Sequence, residues 1–506
     1  MMQYLFIVAF FVYLAAMIAL GWYVSRRNRS GEQFLLGGRS LPFVLTLGTT
    51  VATMVGTGSS MGAVGFAYQN GWGGTLYGIG GAIGILLLAW WFAPLRNLRF
   101  MTMSEEIAYY VGANPLVKNV IAVIIYVASI GWLGAHIIGG GMYLAWLTGM
   151  EIHLAKLLIA LSFAVYVIVG GYTAVVWTDS IQALILFFGF ILMAVFSVEA
   201  VGGWDAMLAA QPAENVSWLA LDKIGVLPAV SLSMAILVGI LATPSFRQRI
   251  YSGNKVADIR RSFVCSGLLY LGFSAIPAII GMSAFGLNDS LDNASFAFPH
   301  LALNVLPLGL GIIIIMAGLS ATLSSASSDA IAAVSVVMRD LYLMVRGKMP
   351  PADKVVLLSR FGLVFTIGLA LLFALGSNNI ISYITHMIAL LMSGLCACAL
   401  LGRFWPRLNW QGALACLLGG SLCALVVSFT PDWSAYWGNP VIPSLLCAML
   451  AGIVVSLFSP ASSVSAEQAL EILTRERELM EKSDGQNQEE EIPTDANLTI
   501  NNAGAK

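Results

Sequence analysis

Nearly every positive charge in this chain falls on one side of a ladder of apolar stretches, and that segregation constrains the fold more tightly than any single motif. Thirteen stretches approach the roughly 20 residues needed to cross a hydrocarbon layer. They are 3–25, 42–68, 75–95, 119–147, 155–173, 179–201, 228–246, 262–286, 307–338, 360–376, 380–401, 410–429 and 441–458. If the N-terminus lies outside, alternate loops face the cytoplasm and should collect Lys and Arg. On that assignment every one of the 25 basic residues except Lys156 and Lys223 is cytoplasmic. A missed or surplus crossing would scramble the pattern. The expectation is an all-α integral membrane protein with 13 transmembrane helices, N-terminus outside and C-terminus inside. Composition agrees, with 10% charged residues against about 25% in soluble domains. No strand alternation runs through these stretches, so a barrel is not expected. The first stretch is read as a retained helix rather than a signal peptide, because its Arg cluster (Arg26, Arg27, Arg29) follows it.

Within the ninth stretch, residues 317–329 read AGLSATLSSASSD: six hydroxyls and the carboxylate of Asp329 in otherwise lipid-like sequence. Such oxygens are what a hard cation needs once it leaves water, and a carboxylate at membrane depth usually marks an ion path or relay. Positions 321, 324, 325 and 328 share one helical face. Neutral oxygens suit a weakly held monovalent ion better than a divalent one. Two other helices are interrupted, helix two at Gly56-Thr57-Gly58-Ser59-Ser60 and helix seven at Gly239 and Thr243-Pro244. Breaks free backbone carbonyls to coordinate an ion, and matched breaks point to inverted halves with a site between them. The expected organisation is an extra N-terminal helix (1–30), a first repeat (40–205, helices 2–6), a second repeat (225–405, helices 7–11), two C-terminal helices (408–458) and a largely disordered cytoplasmic tail (459–506). Within that tail Ser465 is placed to cap a short amphipathic helix, AEQALEILTRERELMEK.

Four motifs, in order along residues 1–458, resemble the sodium:solute symporter family. GGRSLP (37–42) leads into helix two, WTDSIQA (177–183) opens helix six, QRIYSGNKVADIRRS (248–262) follows helix seven, and ATLSSASSDAIAAVSVVMRDLY (321–342) ends in Asp340-Leu341-Tyr342. The resemblance implies a LeuT-type five-plus-five core with Na+ bound between helices two and nine. Its ligands would be the hydroxyls of Ser324 and Ser325 and the carbonyls of Ala52, Val55 and Ala321. Some members use a further sodium site, which here would be Asp179, Ser327 and Ser328. The resemblance gives Asp329 no clear role; it is placed either to touch the lower sodium site or to face a cytoplasmic vestibule. Candidate solute-binding groups are Thr57, Ser59, Gln69, His136, Thr243 and His386. No basic clamp for an acidic sugar is expected beside them.

The expected function is sodium-coupled symport of a small organic solute (a sugar, amino acid, carboxylate or vitamin-like molecule) by alternating access, in a bacterial inner membrane and without nucleic-acid partners. A proton-coupled symporter on the same fold is the alternative, since Asp179 and Asp329 could titrate. A solute sensor is the other, but the tail after residue 458 is too short for a kinase. An enzyme would need convergent His, Cys or acidic groups, whereas the four histidines are scattered. The six cysteines all fall in expected spans and read as packing residues.

Overall fold

A computed structural model describes residues 2–26, 30–348, 350–376 and 380–489. Among them the fold is helical throughout, apart from one isolated bridge between Leu41 and Gly253. The leading elements are α1 (Met2–Ser25), α2 (Phe43–Met54), α3 (Ala63–Asn70), α4 (Thr75–Trp91), α5 (Met103–Tyr110), α6 (Pro115–Thr148) and α7 (Ile152–Ala200). Then come α8 (Val226–Ala242), α9 (Pro244–Ser252), α10 (Val256–Phe273), α11 (Ala275–Leu287) and α12 (Leu308–Val336). The chain closes with α13 (Ala352–Ala374), α14 (Ile380–Met387), α15 (Ser393–Phe404), α16 (Trp410–Phe429), α17 (Val441–Phe458) and α18 (Ala466–Glu489).

Ten helices among the described residues are long and apolar enough to cross a membrane, or eleven if one bent pair counts as a span. The difference from thirteen has a local cause. Two expected spans, 155–173 and 179–201, run together as α7, whose 49 residues are interrupted only at Gly171. A straight helix of that length would extend about 74 Å, more than twice the hydrocarbon thickness of about 30 Å, so the break at Gly171 must divide it. Gly171 has φ 58° and ψ −155°, and a Cβ there would lie 2.7 Å from the carbonyl oxygen of Phe34. Only glycine meets both conditions. The expected span 42–68 is likewise split: α2 has 12 residues, and a break at Val55–Thr57 precedes the helical run that continues into α4.

Capping sets the ends of the long helices. The Asn114 side chain accepts from the Val117 N–H at 3.2 Å, Pro115 occupies the first turn of α6, and Gly149 closes it in the left-handed conformation. Glu151 caps α7 by accepting from the Leu154 N–H at 2.9 Å. Around the centre, α12 packs on α6 and α7, and α2 packs on α7. The N-terminal helix is stitched into this core: Tyr13 Oη lies 2.8 Å from Ser320 Oγ and accepts from Gln182 Nε2 at 2.7 Å. Two of the motif segments meet in space, since Leu41 donates its N–H to Ser252 and accepts from Asn254.

The tail carries the amphipathic helix expected after Ser465. α18 begins with a reciprocal Ser465–Gln468 cap and extends beyond the anticipated residues. Ala469 and Leu473 are fully buried against the bundle. Glu476 reaches Lys118 and Arg339, and Arg477 lies 3.3 Å from the buried carboxylate of Glu105. Residues 490–506 of the expected tail lie outside the described residues.

Candidate functional site

The break in helix two places free backbone oxygens opposite the hydroxyl face of α12. Val55 leaves helical geometry with φ −89° and ψ 60°. Ser324 Oγ donates to the Ala52 carbonyl at 3.1 Å and lies 3.3 Å from that of Ala321. Ser325 Oγ lies 3.4 Å from the same Ala52 oxygen and 3.2 Å from that of Thr53. All these residues are buried. Of the five expected ligands, Ala52, Ala321, Ser324 and Ser325 are therefore in direct contact, and Val55 stands at the break beside them. Gly56 makes the approach tight enough: a Cβ there would lie 2.5 Å from Ser325 Oγ and 3.2 Å from His136 Cε1.

A second cluster gathers one turn further along α12. Asp179 on α7 accepts from Thr49 Oγ1 at 2.7 Å and Ser328 Oγ at 2.9 Å, with Ser327 Oγ 3.5 Å from its other oxygen. The three expected residues come together, but with a group the sequence reading missed. Arg249 of α9 is fully buried and its Nη2 lies 3.4 Å from Asp179 Oδ2. The same nitrogen donates to Thr49 Oγ1 and Ser328 Oγ, each at 2.7 Å, and to Thr53. A guanidinium thus stands among the oxygens expected to receive a second ion. Arg247, also fully buried, pairs with Glu106 at 3.2 Å and covers the Phe92 ring. The charge segregation assigned Arg247 and Arg249 to a cytoplasmic loop, and the structure buries both in the bundle. The cause is the Thr243–Pro244 break, which folds α9 inward so that both arginines leave the loop surface. The signal in the sequence was the lone Asp179, a carboxylate at membrane depth that requires a counter-charge.

The candidate solute-binding groups divide between two spaces. A small cavity of about 40 Å³ is lined by Ser59, Thr243 and His136, together with Trp132, Tyr77, Tyr270 and Asp329. Thr57 sits beside it: its Oγ1 lies 3.0 Å from His136 Nδ1 and donates to Thr322 Oγ1 at 3.1 Å. His136 Nε2 lies 3.2 Å from Asp329 Oδ2. Ser59 and Thr243 spend their hydroxyl protons on carbonyls of their own chain segments, Met54 at 2.8 Å and Gly239 at 2.6 Å. Gln69 and His386 do not join this group. Both are exposed and line a separate vestibule of about 620 Å³, and His386 Nδ1 lies 2.7 Å from its own helix at the Ser382 carbonyl. Between the two spaces, Ile384 packs against Gly58 and Ile381 against Gly62.

Interrupted helices, free carbonyls opposite a hydroxyl face, and a small cavity beneath a large vestibule define a secondary transporter. The comparisons with known proteins agree. Residues 34–420 match the sodium:solute symporter family, and the chain belongs to that family. The osmoregulated proline transporter OpuE of Bacillus subtilis is 25% identical over 471 residues, 90% of this chain and 94% of that one. The sodium/pantothenate symporter of Escherichia coli is 25% identical over 482 residues, 90% of this chain and 97% of that one. Among solved structures, the substrate-bound outward-open state of a Na+-coupled sialic acid symporter superposes with a TM-score of 0.80 at 19% identity, covering 92% of this chain and 99% of that one. The chain is a multi-pass membrane transport protein and not an enzyme.

Proposed function

We propose that this protein is a sodium-coupled symporter of a small organic solute, working by alternating access in the bacterial plasma membrane. The observation that carries the reading is the convergence of Ser324 Oγ and Ser325 Oγ on the Ala52 carbonyl at the helix break. In the proposed sodium-bound state the carbonyls of Ala52, Val55 and Ala321 supply three ligands, and the two hydroxyls turn their protons outward to present lone pairs. No formal charge enters this shell, which suits an ion that must leave again on every cycle. One sodium moving through about 100 mV down a tenfold gradient releases about 3.7 kcal/mol, enough for accumulation of roughly 10² to 10³-fold. Thirteen crossings with the N-terminus outside, and a five-plus-five repeat over 40–205 and 225–405, are proposed as the frame, supported by the matched breaks after α2 and α8 and by the charge segregation.

Asp179, Ser327 and Ser328 are proposed as a second sodium position that opens only when Arg249 withdraws. With Arg249 in place, its guanidinium supplies the positive charge there and the expected stoichiometry is one ion. Uptake into proteoliposomes with sodium replaced by potassium tests the main reading: uptake that persists rejects sodium coupling. Ser324→Ala and Ser325→Ala should each weaken the apparent sodium affinity by at least tenfold. A Hill coefficient for sodium above one would show that the Asp179 position also fills during the cycle.

A further inference from the structure

Among the buried carboxylates of the described residues, Asp179 and Asp329 flank the site, and they differ in counter-charge. Asp179 is paired with Arg249, 3.4 Å away. Asp329 has only an imidazole, His136 Nε2 at 3.2 Å from Oδ2. That contact is made through Oδ2, and the residue lines the small cavity. No Lys or Arg lines that cavity; Arg249 stands behind the wall, bonded to Thr53 and the Ser245 carbonyl, with its charge paired to Asp179. Its walls are aromatic: Trp132, Tyr77, Tyr270 and Phe246 all contribute. Ser245, fully buried and also on the wall, has a hydroxyl without a hydrogen-bond partner.

A carboxylate at membrane depth is costly without a cation, and aromatic faces attract cations once water is excluded. An anionic solute would instead have to approach Asp329 with no basic group on the wall to offset the repulsion. The volume limits the size of what fits. A cavity needs about 10–15 Å³ of such space per water, so 40 Å³ holds a head group of a few heavy atoms in this state. We propose that Asp329 is the specificity-determining residue of this transporter, and that the solute it selects carries an ammonium head group that seats against Asp329 within the aromatic walls. The proposal rests on the symporter reading above and names the substrate class of that site. His136 is a positioning residue: tied to Thr57 at 3.0 Å and stacked on Trp132 at a 20° interplanar angle, it holds the Asp329 carboxylate through Oδ2 at 3.2 Å.

The test uses the purified full chain in sodium, with thermal shift as the readout. The probes are methyl-, ethyl- and propylammonium and ethanolamine, set against ethanol, propan-1-ol and propionate of matched size. The ammonium probes should raise the melting temperature in a saturable manner, and the alcohols and propionate should not. Asp329→Asn should weaken ammonium binding at least tenfold while keeping the shift produced by sodium alone. Should the Asn variant fail to fold, Asp329→Glu keeps the charge and lengthens the arm, so the preference for ammonium should persist with a shorter optimal probe. The proposal is overturned if neutral or anionic probes bind as well as the ammonium ones, if no ammonium probe binds, or if Asp329→Asn leaves ammonium binding within twofold. Loss of the sodium effect on the wild-type protein, with ammonium binding retained in potassium, would instead overturn the symporter reading and leave this one standing.

Discussion

At Arg249 one guanidinium joins three helices. Its Nη2 reaches Thr49 and Thr53 on α2, Asp179 on α7 and Ser328 on α12, while Nη1 donates to the Ser245 carbonyl at 2.7 Å. Arginine suits this position because its planar fork serves several acceptors at once. Removing it would leave Asp179 buried and unpaired, and breaking such a pair costs about 3–5 kcal/mol. Arg249→Ala should therefore lower the melting temperature sharply, and Arg249→Lys should recover part of the loss, since one ammonium keeps the charge but not the fork. Equal melting of the Ala variant and the wild type would show that the pair carries no stability. The sequence marked Asp179, Ser327 and Ser328 through the resemblance, and the hydroxyl face of α12 through its spacing. It concealed Arg249, because a basic residue after a proline break reads as a cytoplasmic loop residue until the fold turns that segment inward.

Breaks, rather than helices, organise the site. The Val55–Thr57 interruption supplies carbonyls and the Thr243–Pro244 interruption delivers Arg249; both were visible as glycine, threonine and proline within apolar runs. Gly171 was not, because a lone glycine in such a run is ordinary. There the backbone takes a conformation other residues rarely adopt, against the Phe34 carbonyl. Gly171→Ala should fail to reach the native fold, read as loss of monodisperse protein after extraction, whereas an alanine at Gly368, which has open space around it, should be tolerated. The same break bears on the span count: Ile152–Ala200 is one helical run broken at Gly171, where hydropathy marks two stretches, and the run from Gly58 to Trp91 joins parts of two others.

Across the whole molecule, charge segregation made the membrane class legible, and solute chemistry stayed hidden because the cavity wall is drawn from distant segments such as Tyr77, Trp132, Tyr270 and Asp329. The tail helix is a further case of long-range assembly. Burial of Glu476 opposes its ionisation, but Lys118 and Arg339 outweigh that and hold its carboxyl below the usual range. A carboxyl lowered on docking favours the docked tail at neutral pH, and the advantage is lost only as the pH falls through the lowered value. Docking should thus survive from neutrality to about pH 5 and weaken in stronger acid. Glu476→Lys, which sets three cations together, should release the tail at pH 7, seen as faster tryptic cleavage at Arg477; unchanged cleavage would contradict the docking.

The phenol of Tyr13 has a practical consequence. Because it bonds to Ser320 and Gln182, anyone shortening this chain to begin at the second helix would discard a strut of the ion-carrying helix along with what looks like a dispensable leader. Such a trimmed protein should still insert, yet hold its hydroxyl face less firmly and handle its ion poorly.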